Sequence, residues 1–569
     1  MSKPILPDSI REERGQVGAA VSRVAPVTRD CLLIWVLLST LYILLRTPFL
    51  IGDGVRWLPL TVAPEFPSES GGTRHYLFPF FSWSIYQVGS WLGLSNDVGP
   101  VRSDASAIVQ GTNALLAAAS VSIIYAWLRQ STTRAAALAG IAFAALGHAY
   151  LVHAANMTEP MASMVPTASA IWLLGRHPDR RAYRIGAGAL VGVAAAFYLI
   201  ASITVVPGAL IVFLREGRRL PGGGLFQRLR STAEFLAPAG VVYLGIIVSS
   251  EVLLMSTDGA HAALAQGFNF DLHGMYGRFH PKYLLGALFG LGNALCSFPP
   301  YQGLSRLLHI PRTSAVAVLA IGLGGIAFVF GLLLYVFRAR RRLVADERWA
   351  NAIAATAWLG VVYALAVYFL SVYEKIWIFA AFPLSCLVAI AADDFGREGH
   401  HTVRRYRTLW FAIPGVALLL GNVFGVAIPR RLQPNLDVVA AVDLANRLQP
   451  NDLVVCPGWD PISAHLLSTL RRPVACLSII QGAMRVKFDA ATLSSEVAAR
   501  IDETHSKGGR VYFLALLELP AEEWQPFFGS QLKLPYEMLE PYRRRARLVE
   551  RFVTRTYPES LFEIPPESK

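Results

Sequence analysis

Long apolar runs separated by short charged connectors dominate the first three quarters of the chain. Eleven runs stand out: 31–50, 106–128, 135–153, 160–175, 185–200, 201–214, 232–254, 314–337, 350–370, 376–391 and 408–427. A helix needs about 20 such residues to cross the hydrocarbon layer of a bilayer. The pattern therefore predicts a mainly α, polytopic membrane helix bundle of about eleven to thirteen spans. The boundary at residue 201 divides one continuous apolar stretch. Segment 283–298 is apolar but short, broken by glycine and followed by Pro299-Pro300, which predicts a re-entrant or interfacial helix.

From about Leu432 the period changes. Helical patterns over Val438–Leu448, Pro461–Leu470 and Ser494–Thr504 alternate with β-branched runs at Leu453–Cys456, Val474–Leu477 and Val511–Leu516. Strands separated by helices predict a small parallel α/β domain. The expected division is a tail over 1–30, a membrane domain over 31–430 with a long loop at 51–103, and a soluble α/β domain over 431–569.

Composition agrees with the pattern and charge orients it. The chain is 54% hydrophobic with mean hydropathy +0.43, and only 16% charged, where a soluble protein has about 25%. Residues 432–569 hold 16 Lys+Arg against 17 Asp+Glu, so the excess behind the net charge of +13 lies in the membrane part. It is concentrated in connectors that follow every second run, at Arg129/Arg134, Arg176–Arg184, Arg215–Arg230, Arg338–Arg342 and Arg397–Arg407. That is the positive-inside pattern and not a nucleic-acid footprint. It puts these connectors and the N-terminus in the cytoplasm of a multi-pass inner-membrane protein. Loop 51–103, the turns near 155–160 and 371–375, segment 255–313 and everything after Arg430 then lie outside. The first thirty residues carry arginines but no small-residue cleavage site, so the first span is expected to stay uncleaved. The five cysteines show no metal-ligand spacing. Cys456 and Cys476 fall on neighbouring predicted strands, as a disulfide or as two thiols.

The loop at 51–103 uses some fifty residues where a few would turn the chain, and long loops in compact proteins are commonly functional. It opens Ile51-Gly52-Asp53-Gly54-Val55-Arg56-Trp57, passes Glu65, Glu69, Arg74 and His75, and enters an aromatic segment from Tyr76 that reads as a membrane-lying helix. The outer face thus gathers Asp53, Arg74, His75, Glu159, Arg278, Glu374 and Lys375. Each alone also suits an ordinary polar loop, and Gly52-Asp53-Gly54 suits a simple turn. Together, at span ends where unpaired charge is costly, they suit sugar transfer from a lipid phosphate. A cation stabilises the leaving phosphate, and a carboxylate takes the proton of the attacking hydroxyl.

These residues resemble the GT-C superfamily of polytopic glycosyltransferases, especially the bacterial relatives of polyprenyl-phosphate-sugar-dependent protein mannosyltransferases. Asp53 matches the acidic residue early in the family's first outer loop, and His75-Tyr76-Leu77-Phe78-Pro79-Phe80 is similar to its His-Pro-Pro-type aromatic segment. Glu159 matches a Glu after the third span. Glu374-Lys375-Ile376 through Phe382-Pro383 is similar to a late Glu-Arg-Tyr turn, with Lys375 where Arg is usual. Over residues 30–430 the resemblance implies transfer from a polyprenyl-phosphate-sugar donor to a hydroxyl of a lipid, glycan or protein, by single displacement with inversion. It implies Asp53 as base, Lys375 with Arg74 or Arg278 on the donor phosphate, and His75, Glu159 and Glu374 orienting substrate. No Asp-x-Asp pair follows Asp53, and relatives differ in divalent-metal use, so no cofactor is assigned.

Other motifs carry less. Gly267–His273 with Arg278–Lys282 suits a mobile cover or an aromatic anchor, and His273 and His280 lack helical metal spacing. Pro457-Gly458-Trp459-Asp460 lies at the carboxyl edge of a predicted strand, with Trp459 as a packed aromatic or a sugar platform. Arg543–Arg545 with Arg547 reads as a solvated helix face, with contact to anionic headgroups as the alternative. A flippase or transporter for lipid-linked sugars would place charge near mid-membrane in two related halves; no halves repeat here. A non-catalytic scaffold would not depend on the outer carboxylates.

Overall fold

In hydrocarbon a backbone satisfies its own polar groups most simply as a helix, and the apolar runs fold accordingly. The computed structural model describes residues 8–48, 57–58, 61–62, 77–95, 103–254 except 178 and 220–223, 281–296, 312–397 except 345, 347 and 369–373, and 413–566 except 433, 459, 469, 471–473, 487, 530–531 and 555–558. The helices are α1 (Asp8–Leu44), α2 (Phe78–Trp91), α3 (Ser103–Leu128), α4 (Arg134–Leu146), α5 (His148–Ala154), α6 (Glu159–Arg176), α7 (Arg181–Phe197), α8 (Val205–Arg219), α9 (Leu225–Leu254), α10 (Lys282–Leu295), α11 (Arg312–Val344), α12 (Arg348–Tyr368), the short α13 (Glu374–Trp377) and α14 (Ala381–Arg397). A π-helical stretch, Leu419–Ala427, leads to α15 (Ile428–Leu432).

Among the described residues, eight helical stretches are long and apolar enough to cross a membrane, or nine with the bent pair α4–α5. Helices α6 and α7, of 18 and 17 residues, occupy the two remaining apolar runs. Run 135–153 is not one straight span: α4 and α5 meet at 65°. Gly147 joins them in an extended conformation (ψ 137°), and a Cβ there would lie 2.8 Å from the Phe143 carbonyl oxygen. The division expected at residue 201 falls at Tyr198, where a 3-10 turn (Leu199–Thr204) leads into α8. Helix α1 already begins at Asp8, so most of the expected tail is helical. The aromatic segment after His75 forms α2. The short α10 runs from a hydrogen bond between Tyr363 and the Leu284 carbonyl to Asn422, which bonds the Leu295 and Leu146 carbonyls. At about 1.5 Å per residue it is too short to span.

The span Lys375–Phe395 is the axis of the bundle. Its most apolar stretch is 94% buried, against 56% or less for every other span. Glycine permits the closest packing against it: a Cβ on Gly140 of α4 would lie 2.4 Å from the Ser385 carbonyl oxygen. At the end bearing the arginine connectors, Asp393 and Asp394 of α14 take the guanidinium of Arg348 at 3.1 and 3.3 Å, and Asp393 accepts from the Thr133 amide at 2.8 Å. Nearby, Arg134 pairs with Asp30 at 2.8 Å and Arg184 with Glu234 at 2.6 Å.

Beyond α15 the chain forms a five-stranded sheet, with α16 (Leu436–Arg447), β1 (Leu453–Cys456), α17 (Pro461–Ser468), β2 (Ala475–Ser478), α18 (Ile479–Arg485), α19 (Ala490–Ser506), β3 (Val511–Leu514), β4 (Arg547–Phe552) and β5 (Glu559–Ile564). The order is β2-β1-β3-β5-β4; β1 is parallel to β2 and β3, while β5 is antiparallel to both β3 and β4. Leu453 and Val455 enter one core, and Val454 and Cys456 the other. A strand buried on both faces reads as a continuous apolar run, as β1 and β3 do. The sheet is therefore mixed, not purely parallel. The basic run is not one solvated helix face: Arg543 ends a short helix (Glu540–Arg543), where it bonds the Leu517 and Tyr536 carbonyls and lies 3.7 Å over the Tyr536 ring, whereas Arg547 opens β4. Cys476 pairs in register with Val454, two residues from Cys456, and both thiols are free.

Glu559, at the start of β5, is wholly buried, and neither of its oxygens meets an N–H or O–H of another described residue. Its neighbour is the buried carboxyl of Asp460. Burial first, then the Asp460 charge, push Glu559 up to about 11, so it is protonated at neutral pH and donates to Asp460. An unfolded chain titrates Glu near 4.3, so folding takes up a proton between those values. This group's stabilisation is complete below about pH 4 and declines as pH rises toward 11, by up to about 1.4 kcal/mol per pH unit. Thermal unfolding in detergent at pH 6 and 8.5 is expected to show the lower midpoint at 8.5, and Glu559→Gln to flatten the difference. An undiminished difference in that variant would assign the pH dependence to other groups.

Candidate functional site

The site is built on the turn before α6, at the end of the bundle opposite the arginine connectors. Asn113 of α3 donates to the carbonyls of Asn156 and Thr158, both at 2.9 Å. Asn156 donates to Thr47 Oγ1 at 3.0 Å and accepts from the Met157 amide at 2.8 Å. His153 Nδ1 lies 3.1 Å from Thr158 Oγ1. Thr158 is extended (φ −140°, ψ 143°), so the helix starts abruptly at Glu159. A carboxylate in the first turn of a helix is favoured by the backbone dipole.

Glu159 has no exposed surface and Lys375 has 3%. Lys375 Nζ donates to Glu159 Oε1 at 2.5 Å, joining residues 216 positions apart, and Trp57 Nε1 donates to Oε2 at 3.2 Å. Each carboxylate oxygen thus has a partner, which burial of charge requires. Trp57 stands edge-on to Phe78 at 5.6 Å, followed by Phe81 and Phe197. Thr61 bonds the Trp57 carbonyl at 2.9 Å and Ser82 Oγ at 3.0 Å, and the Leu77 amide bonds the Ala196 carbonyl at 3.1 Å. Two pieces of the first loop therefore pack as one wall beside Glu159.

Of the residues singled out in the sequence, the structure joins Glu159 and Lys375. Glu374 is the first residue of α13, and its side chain lies outside the described residues. Asp53, Arg74, His75 and Arg278 lie outside the described residues, as do Arg56, Glu65, Glu69, His273, His280 and Trp459. Sequence reasoning missed the part played by Trp57, whose only signal was its place four residues after Asp53. It also missed Asn113, which has none beyond being a polar residue within an apolar run. Among the described residues no group of three or more His, Cys, Asp or Glu is placed to hold a metal ion.

The pair can do one thing a lone lysine cannot. Lys375 is held in a buried site by Glu159, a geometry in which an arriving anion can take the place of that carboxylate. Trp57, on the other oxygen, keeps Glu159 in position as this happens.

No protein-family model and no curated protein matches this sequence. Solved structures do. The crystal structure of ArnT from Cupriavidus metallidurans bound to undecaprenyl phosphate aligns over 96% of this chain and all of that one, at 14% identity and TM-score 0.51. AglB, the archaeal oligosaccharyltransferase from Archaeoglobus fulgidus, in complex with an inhibitory peptide and a dolichol-phosphate, aligns over 93% of this chain and 74% of that one, at 11% identity and TM-score 0.49. An alignment over 96% includes most of the sheet as well as the bundle. At this identity the likeness to ArnT is one of architecture, and the chain has the polytopic membrane fold of that structure.

Proposed function

We propose that this protein is a membrane glycosyltransferase that moves a sugar from a polyprenyl-phosphate donor to an acceptor hydroxyl at the outer face of the bundle. The buried Glu159–Lys375 pair carries the reading: a fixed cation, sealed from water, on a fold shared with a protein crystallised with undecaprenyl phosphate. In this mechanism the acceptor oxygen attacks the anomeric carbon while the Asp53 carboxylate takes its proton. The bond from that carbon to the phosphate oxygen breaks, its electron pair stays on the phosphate, and the sugar inverts. Lys375, with Arg74 or Arg278, meets the developing phosphate charge. His75, Glu159 and Glu374 orient the substrates. The acceptor is a lipid, glycan or protein hydroxyl, and the sugar a hexose or pentose. The arginine connectors face the cytoplasm, and the sheet domain stands outside.

The test is transfer from labelled polyprenyl-phosphate sugars in membranes containing the protein. Labelled product is expected with at least one donor, and none with any donor would overturn the reading. A reporter fused after residue 430 is expected outside; a cytoplasmic reporter would reverse the sidedness on which the mechanism depends.

A further inference from the structure

Among the described residues, the sheet domain meets the apolar cluster beside the site through one helix. Asp460 accepts from the Ser463 amide at 2.8 Å and from its hydroxyl, which fixes the start of α17. Ile462 and Leu466 face the sheet core, whereas Ala464 enters the separate apolar cluster of Trp57, Phe78, Met157 and Ala162. Ala464 is the sheet domain's contribution to that cluster among the described residues, and it is 3% exposed. Met157 and Ala162 flank Glu159 in sequence, and Trp57 bonds its carboxylate. Farther round, Asn435 donates to the Pro48 carbonyl at 2.8 Å and Arg431 bonds the Leu44 carbonyl, clasping the domain to the end of α1.

We infer that Ala464 is a positioning residue: through it α17 presses the Trp57 wall into place and so sets the Glu159 carboxylate against Lys375. The effect on transfer rests on the function proposed above, but the effect on Lys375 does not. A branched side chain at 464 pushes into a closed cluster, and such overpacking moves neighbours when they cannot yield. Movement of Trp57 lengthens its bond to Glu159 and loosens the ion pair. Misplacement on the order of an ångström near reacting groups costs up to about 100-fold in rate.

The experiment uses the full chain in detergent with the graded series Ala464→Ser, Ala464→Val and Ala464→Leu, and Ala499→Leu on the exposed side of α19 as control. Lys375 accessibility is read by amine-reactive labelling and peptide mass spectrometry, a measurement independent of transfer. Labelling is expected to stay at the parent rate for Ser and the control, and to rise with side-chain size to about tenfold for Leu. In transfer assays kcat is expected to fall about tenfold for Leu with the donor KM within threefold. If Ala464→Leu does not fold, the Ser-to-Val step decides. Trp57→Phe, which keeps an aromatic ring without the N–H, is expected to raise labelling as Leu does. Lys375 labelling at the parent rate in folded Val, Leu and Phe variants would overturn the inference. Raised labelling in a protein that transfers no sugar would refute the proposed function and leave the positioning of Lys375 standing.

Discussion

Replacing Lys375 by methionine is expected to lower sugar transfer by two to three orders of magnitude and to destabilise the fold by about 3–5 kcal/mol. The two effects have different causes and can be separated. The rate loss follows from removing the charge that meets the leaving phosphate. The stability loss follows because Glu159, with no exposed surface, loses the cation on Oε1 while Trp57 stays on Oε2. The double variant Lys375→Met/Glu159→Gln removes both charges, so it should regain most of the stability while staying inactive. Lys375→Arg, which keeps the charge in a larger and differently shaped group, should retain partial transfer. Initial rates from a fixed donor concentration, with unfolding midpoints for the same preparations, check all three. A double variant that transfers at the parent rate would reduce the pair to a structural ion pair.

Asp53→Asn is expected to lower transfer by about 100- to 10,000-fold, the usual share of a general base, while donor binding persists. Asparagine keeps the shape of the side chain but does not take the acceptor's proton. Asp53 stands four residues before Trp57 in the sequence, and Trp57 donates to Glu159. Glutamate at this position keeps the base and shifts it, so an intermediate rate is expected. Donor binding is measured by displacement of a labelled polyprenyl phosphate. Parent-level transfer by the asparagine variant would remove Asp53 from the base role and direct attention to Glu374.

The bundle was legible because a membrane imposes one demand, some twenty apolar residues per crossing, and the runs meet it directly. What escaped is what apolarity does not encode. The bend falls at Gly147, where a Cβ would crowd the Phe143 carbonyl, and a single glycine in a long run does not announce it. Strand β4 was hidden by its position at the sheet edge: Arg547, Glu550 and Arg551 are what an edge strand carries to avoid pairing with other chains, and Arg547 was read with Arg543–Arg545 as part of a helix face. In the site, Glu159 and Lys375 could each be picked out as charge at a span end. Their partnership could not, because no local pattern links residues so far apart. Ala464 carried no signal at all, since a small apolar residue in a short helix looks like any other core position.

The span from Lys375 to Phe395 is pinned at both ends, by Glu159 at one and by Arg348 and Thr133 on Asp393 at the other. It therefore works as a ruler whose graduations are residues. One residue added or removed between the pins would move Lys375 by about 1.5 Å along the axis and turn it by about 100° around it, away from Glu159. Depth in the bilayer and compass direction are thus set together by a count. Packing fixes the side chains along this stretch, but it is the number of residues between the pins that keeps Lys375 against Glu159.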